Sequence, residues 1–185
     1  MNINPDIFTI NLAITTPAVP APVFEFPRTP DKIMFLIYFG LADLPSSEFH
    51  DIIDKYQAGS PDFTFRIAAP EPDEQSFVMA FESETAAMEF ISYTRESLKP
   101  YRYGNSVKLA VHAGTVSVEV NNLKGQSIEE LKEIGCHVGA GLVCASEQFA
   151  ASLALNNKSY HLHHAGVINS RFRINWPFYN VEFFK

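Results

Sequence analysis

The sequence predicts an α+β fold, a ferredoxin-like βαββαβ core with an additional C-terminal helix and strands. A continuous apolar run from Ile33 to Phe39 is typical of a strand buried on both faces. Apolar residues recur at helical spacing over 49–56 and 87–98. Between these two segments, 63–68 and 76–81 read as a pair of strands. A chain of 185 residues, 46% of them hydrophobic, can bury such a core.

Local signals place the ends of the elements. Ser46-Ser47 resembles a helix cap and Gly59 a helix end. Ser83 is expected to cap the second helix, which must stop by Pro100. The later elements are expected to be strands at 107–111 and 116–120 around Ala113-Gly114, a short helix with a capping box at 127–130, a small-residue helix over about 138–151, and strands at 153–155 and 178–184.

Residues 1–31 differ from the globular domain expected over 32–185. Six of the twelve prolines lie in this first segment. Phe8, Ile10, Leu12 and Ile14 alternate with less apolar residues there, which predicts one strand. The proline-rich stretch that follows is semi-rigid, so the segment is expected to act as an arm. The arm could pair with a sheet edge of another subunit, pack on its own domain, or serve as a proline-rich ligand.

The composition argues against some classes of binding partner and indicates a cellular compartment. A formal net charge of -7 and scattered basic residues argue against nucleic acid. No run of 18 apolar residues is present, so no membrane interaction is expected and a cytoplasmic location is predicted. Cys136 and Cys144 fit neither a metal knuckle nor a disulfide framework and are predicted to be small buried thiols.

The segment from Val107 to Val116, with His112 and Gly114, and the turn Ile134-Gly135-x-x-Val138 resemble parts of the class III adenylyl and guanylyl cyclase catalytic domain. The strand 76–81 and the closing segments fit the same family, so the resemblance spans about 32–184. Residues 152–160 are matched to a family strand that ends near Ser-Glu. The resemblance implies a cyclase-like fold and a homodimer.

Two metal-binding carboxylates of the family are missing under this resemblance. The first position falls on Tyr38 or Phe39, and the second falls on Gln75. A phenol or an amide cannot replace a hard anionic ligand for Mg²⁺. Nearby carboxylates at positions 43, 73 and 74 are better interpreted as solvated turn residues.

The remaining functional positions of the family are also replaced. Its transition-state asparagine and arginine correspond to Gly139 and Val143, and its base-selecting aspartate corresponds to Lys132. The resemblance therefore implies a noncatalytic cyclase-homology domain, a homodimeric binding or regulatory module with no cofactor and an unknown protein or small-molecule ligand.

The histidines offer an alternative function. His112 in an apolar strand is expected to be a satisfied core residue, but His112 or His137 could belong to a rebuilt pocket of a small enzyme. His161 and His163 would share one strand face and could suit zinc or nickel. No third ligand lies nearby in sequence, so an exposed run that includes His164 is the preferred interpretation.

Overall fold

The computed structural model describes residues 31–41, 45–60, 65–68, 76–100, 107–119, 122–156 and 159–183. Residues 1–30 of the predicted N-terminal arm lie outside these residues. In chain order the elements are β1 (Lys32–Gly40), α1 (Ser46–Gly59), β2 (Phe65–Ala68), β3 (Ser76–Phe81), α2 (Glu84–Leu98), β4 (Lys108–Glu119), β5 (Asn122–Lys124), α3 (Gln126–His137), β6 (Val143–Ser146), α4 (Glu147–Asn156), β7 (Tyr160–Ile168) and β8 (Trp176–Phe183).

All eight described strands form one sheet. Its main path runs β2-β3-β1-β4-β6-β8-β7, and β5 pairs with β4. The pairings are antiparallel except for that of β4 with β6, which is parallel. The order β2-β3-β1-β4 is that of a ferredoxin-like βαββαβ unit, so the predicted fold class is confirmed.

The two faces of the sheet carry separate apolar cores. On the three-helix face, strand side chains such as Phe39 pack with Phe49 of α1, Phe90 of α2 and Phe149 of α4. The opposite face, here called the α3 face, buries strand residues against Ile128, Leu131 and Ile134 of α3. Successive residues of a strand point to opposite faces, so each central strand contributes to both cores.

Several local predictions are confirmed. The Ser83 hydroxyl accepts a hydrogen bond from the Ala86 N–H, as expected of a cap. Helix α2 ends at Leu98, ahead of Pro100, and α1 ends at Gly59. Cys144 is buried as predicted.

Other local predictions are wrong. Cys136 is exposed, and Ile33 at the start of β1 is 73% exposed. Ser46 and Ser47 lie inside α1, which begins after Pro45 without a side-chain cap. Ser127 also lies inside its helix, because α3 begins one residue earlier, after Gly125, again without a side-chain cap. A glycine can take the required φ of 146° there, whereas a residue with a Cβ would be strained.

The region after Val107 differs most from the prediction. The two short strands expected around Gly114 are one continuous strand, β4. The helix expected over about 138–151 is replaced by β6 and then α4, and the strand expected at 153–155 lies within α4. β6 forms because β4 and β8 pair with it on either side, which outweighs the helix propensity of its small residues.

Candidate functional site

A buried polar cluster lies under α3, centred on His112 of β4. His112 is only 1% exposed. Its Nδ1 lies 2.9 Å from the hydroxyl of Ser146, the last residue of β6. Its Nε2 lies 3.3 Å from Oε2 of Glu130 on α3, but outside hydrogen-bonding geometry. The three side chains join β4, β6 and α3.

His112 is neutral in this environment. Burial, and to a smaller extent the positive charge of Arg173, lower its pKa from 6.5 to about 4. The Ser146 oxygen also accepts a hydrogen bond from the Phe149 N–H at the start of α4. Its own proton is therefore available to Nδ1, which places the imidazole proton on Nε2, facing Glu130.

The turn between β7 and β8 closes the cluster. Arg173 from this turn places its Nε 3.8 Å from Oε1 of Glu130 and its guanidinium over the ring of Trp176, 5.0 Å from the centroid. The ring of Trp176 meets the ring of His112 edge-on at 5.7 Å. His112 is therefore a buried core residue, as predicted, but it is only partly satisfied: Nδ1 has a hydrogen-bond partner and Nε2 has none.

Close packing around Gly114, the other position of this motif, explains why a glycine is found there. A Cβ at Gly114 would lie 2.6 Å from Cβ of Ser127 and 2.7 Å from Nε2 of His112. Such contacts are far inside van der Waals range. The cyclase-like His112-Ala-Gly114 segment is thus explained here by close packing between β4 and α3.

The two candidates for the first metal position point to opposite faces. Phe39 is fully buried on the three-helix face, with ring centroids of Phe49 and Phe90 at 4.9 Å and 5.6 Å. Tyr38 points to the α3 face, where its ring lies so close to Gly135 that a Cβ there would be 2.5 Å from Cε1. Gln75 and the carboxylates at 43, 73 and 74 lie outside the described residues.

The other predicted positions fall on three different elements. Lys132 is on α3, with Nζ 4.0 Å from Oε1 of Glu129. Gly139 is exposed in the loop after α3, and Val143 is buried at the start of β6. The assignment of Gly139 and Val143 assumed that a helix follows Gly135. In the structure Gly135 lies inside α3, which ends at His137, and both residues come after the helix.

The histidines do not converge on one pocket. His137 is exposed at the end of α3, with Nδ1 2.8 Å from the Glu133 carbonyl oxygen, whereas His112 is buried. His161 and His163 share one face of β7, with ring centroids 6.2 Å apart, and His164 packs on Tyr179 on the other face. Within the described ranges, no three His, Cys, Asp or Glu side chains form a group that could bind a metal ion.

Sequence reasoning missed Glu130, Ser146 and Arg173 as partners of His112. One signal for Ser146 was present, because the resemblance includes a strand that ends near Ser-Glu. That strand was matched to 152–160, but β6 ends at Ser146 and Glu147 follows it directly. Nothing in the sequence near Glu130 or Arg173 marks them as neighbours of His112.

Comparisons with known proteins identify the fold. No family model matches the chain, and no curated protein matches it. The guanylate cyclase domain of RhGC from Catenaria anguillulae, solved with GTP, is similar with a TM-score of 0.64 and 10% identity, over 85% of this chain and all of that one. Adenylyl cyclase CyaB from P. aeruginosa gives a TM-score of 0.59 and 12% identity, over 84% and 97% of the two chains.

A third similar structure is the non-canonical dimeric guanylyl cyclase domain of the RhoGC fusion protein from Blastocladiella emersonii. Its TM-score is 0.63 at 11% identity, over 84% of this chain and 99% of that one. No described helix is long and apolar enough to cross a membrane. Identities this low show the fold alone, and that fold is the one of class III adenylyl and guanylyl cyclase catalytic domains.

Proposed function

We propose that the chain is a noncatalytic cyclase-homology domain, a homodimeric binding or regulatory module that does not cyclise nucleoside triphosphates. The observation that carries this proposal is the packing of Tyr38 on Gly135, because Tyr38 is one of the two residues that the resemblance matches to the first metal position. The alternative, a small enzyme with a rebuilt histidine pocket, is not favoured, because His112 and His137 occupy different environments.

The chemistry of cyclisation explains why this packing matters. The reaction needs an activated 3′-oxygen and a neutralised polyphosphate, normally with two metal ions held between carboxylates. Under the resemblance, β1 supplies one of these carboxylates. Here β1 presents the phenol of Tyr38 on one face and the buried phenyl ring of Phe39 on the other. Neither group is a hard anionic ligand.

The surface of α3 also supports the proposal. Glu129 and Glu133 lie on this helix and engage Arg171 of the β7–β8 turn, at 3.1 Å from Nη2 and 3.3 Å from Nε respectively. Arg173 of the same turn faces Glu130. A polyphosphate approaching α3 would meet carboxylates, and these two arginines already have anionic partners. Such a surface disfavours phosphate binding.

The homodimer rests on the family resemblance and on the dimeric state named for the similar RhoGC domain. Light scattering on the full chain at micromolar concentration is expected to give twice the chain mass of 20.7 kDa. A strict monomer under these conditions would contradict the dimer while leaving the noncatalytic proposal standing.

The absence of cyclase activity is tested with the purified full chain, ATP or GTP, and Mg²⁺ or Mn²⁺. We expect no cyclic nucleotide, and no rise in melting temperature that requires both nucleotide and metal. An active cyclase in the same assay is the positive control. Metal-dependent formation of cyclic nucleotide, in proportion to the amount of this protein and retained through a second purification step, would overturn the proposal.

A further inference from the structure

The strand at one end of the sheet, β7, has a neighbour on one side only among the described strands. It pairs with β8 and ends the main path of the sheet. With nine residues it is much longer than β2, the four-residue strand at the opposite end. Backbone N–H and C=O groups along the outer edge of such a strand form a template on which another strand can pair.

The two faces of β7 differ in polarity over its first five residues, before the bulge that follows His164. Tyr160 and Leu162 pack against the core of the three-helix face. His163 is exposed and lies on the α3 face, in register with a residue of β8 that pairs with Cys144 of the other core. A strand added beside this part of β7 would therefore need apolar side chains on one face and polar side chains on the other.

We propose that residues 8–14 of the same chain pair with the outer edge of β7 along 160–164. In this segment, which lies outside the described residues, strongly apolar residues alternate with less apolar ones, as predicted for a strand. The apolar positions are Phe8, Ile10, Leu12 and Ile14. Paired with β7, these side chains would extend the apolar face next to Leu162, and Thr9 and Asn11 would lie beside His163. This match in polarity on both faces supports the proposal.

The chain between this segment and β1 is long enough for the pairing to be intramolecular. β1 runs antiparallel to β4 and β7 runs in the same direction as β4, so β1 begins at the end of the sheet where β7 finishes. Neighbouring strands are about 4.8 Å apart, which puts the outer edge of β7 about 24 Å from β1. The proline-rich residues 15–31 can span about 50 Å at roughly 3.1 Å per residue. A tether that can cross this distance favours the segment of the same chain over that of another copy.

Hydrogen exchange of the full chain, followed by mass spectrometry on peptides that cover 160–168, tests the pairing. Ile10→Pro removes a backbone donor from the segment and disrupts the ladder. We expect the amides at the outer edge of β7 to exchange at least about tenfold faster in this variant than in the natural chain. Ala18→Pro, in the proline-rich tether, is the matched control and is expected to leave the exchange of β7 unchanged.

Cross-linking with a short bismaleimide determines which chain supplies the segment. Asn11→Cys is combined with His163→Cys in a Cys136→Ser background, because the exposed thiol of Cys136 would compete for the reagent. We expect a cross-linked product of single-chain mass on a denaturing gel. Asn11→Cys combined with Lys55→Cys, on the exposed surface of α1, is the matched control and is expected to give much less product.

Three results would overturn the proposal. The first is unchanged exchange of β7 in Ile10→Pro, and the second is an equal increase in Ala18→Pro. The third is a cross-linked product of twice the chain mass, since the segment would then come from another copy. Circular dichroism and melting temperature check that each variant folds.

Discussion

Single residues that carry the cyclase resemblance hold structural positions in this chain. His112 is buried in a polar cluster, and Gly114 leaves room for Ser127 and for the imidazole. Gly135 leaves room for the ring of Tyr38. At these positions the resemblance is explained by packing between the sheet and α3.

Gly135→Ala tests the packing of Tyr38 on α3. The added methyl group would overlap the ring, which typically costs about 1–3 kcal/mol, while alanine recovers up to about 1 kcal/mol of helix propensity. We expect a net loss of roughly 1–2 kcal/mol in the free energy of unfolding by urea denaturation. In a Tyr38→Ala background the same change is expected to be neutral or stabilising.

The matched control for this substitution is Gly59→Ala. Gly59 is also at the end of a helix, but a Cβ there would meet no atom within 4 Å. It is expected to leave stability unchanged or slightly raised. An equal loss at both glycines would show that Tyr38 is not the cause.

The buried His112 predicts a pH dependence of stability. Its pKa is about 4 in the folded state and 6.5 when exposed, so between these values the unfolded chain binds a proton that the folded chain does not. Stability therefore falls as the pH drops from about 6.5 to 4, on the order of 3 kcal/mol for this residue. Glu130 and Arg173, which face the ring, are retained in the matched variant.

His112→Gln removes this titration while an amide can still bond the Ser146 hydroxyl. The variant is expected to lose less stability than the natural chain between pH 6.5 and 4, measured by urea denaturation at several pH values. Parallel profiles for the two proteins would show that His112 does not titrate differently in the folded and unfolded states.

At the scale of elements, helix starts illustrate what a local signal can and cannot predict. The Ser83 cap was correctly predicted, since its backbone is extended and its hydroxyl reaches the Ala86 N–H. Ser46, Ser47 and Ser127 have suitable side chains, but they lie inside α1 and α3 rather than at the capping position. A cap depends on the backbone conformation of one residue, and a pattern of residue types does not fix it.

Ser83→Ala is expected to destabilise the protein by about 1 kcal/mol, because one N–H of the first turn of α2 loses its acceptor. Ser47→Ala in the first turn of α1 is the control and should change stability by less than half as much. The measurement is thermal or urea unfolding of both variants. Equal effects would mean that the Ser83 hydroxyl contributes nothing as a cap.

β4 and β6 show why strands were harder to predict than helices. Gly114 was expected in a turn, but β4 continues through it because it pairs with Met34 of β1, and its missing side chain leaves room for Ser127. β6 has only four residues, with the small residues Cys144, Ala145 and Ser146. Its identity depends on pairing with β4 and β8, more than thirty residues away in each case. The residues of β6 alone do not indicate which strands pair with it.

At the scale of the whole molecule, the sequence was sufficient for the βαββαβ core and its cyclase-like fold. Apolar periodicity is set by burial, so it records which side of each strand or helix faces the core. The site was less predictable, because His112 meets Ser146, Glu130 and Trp176 from three other elements. The contact of Tyr38 with Gly135 likewise joins residues almost a hundred positions apart.

The two cores share the central strands, so we expect the described domain to unfold as one unit. The only tryptophan of the chain, Trp176, is 2% exposed on the α3 face, and its fluorescence reports on that core. Far-ultraviolet circular dichroism reports mainly on the helices, three of which cover the other face. Urea transitions followed by the two probes are expected to coincide. A fluorescence transition at clearly lower urea would mean that the α3 face opens on its own, and that the strands do not couple the two cores.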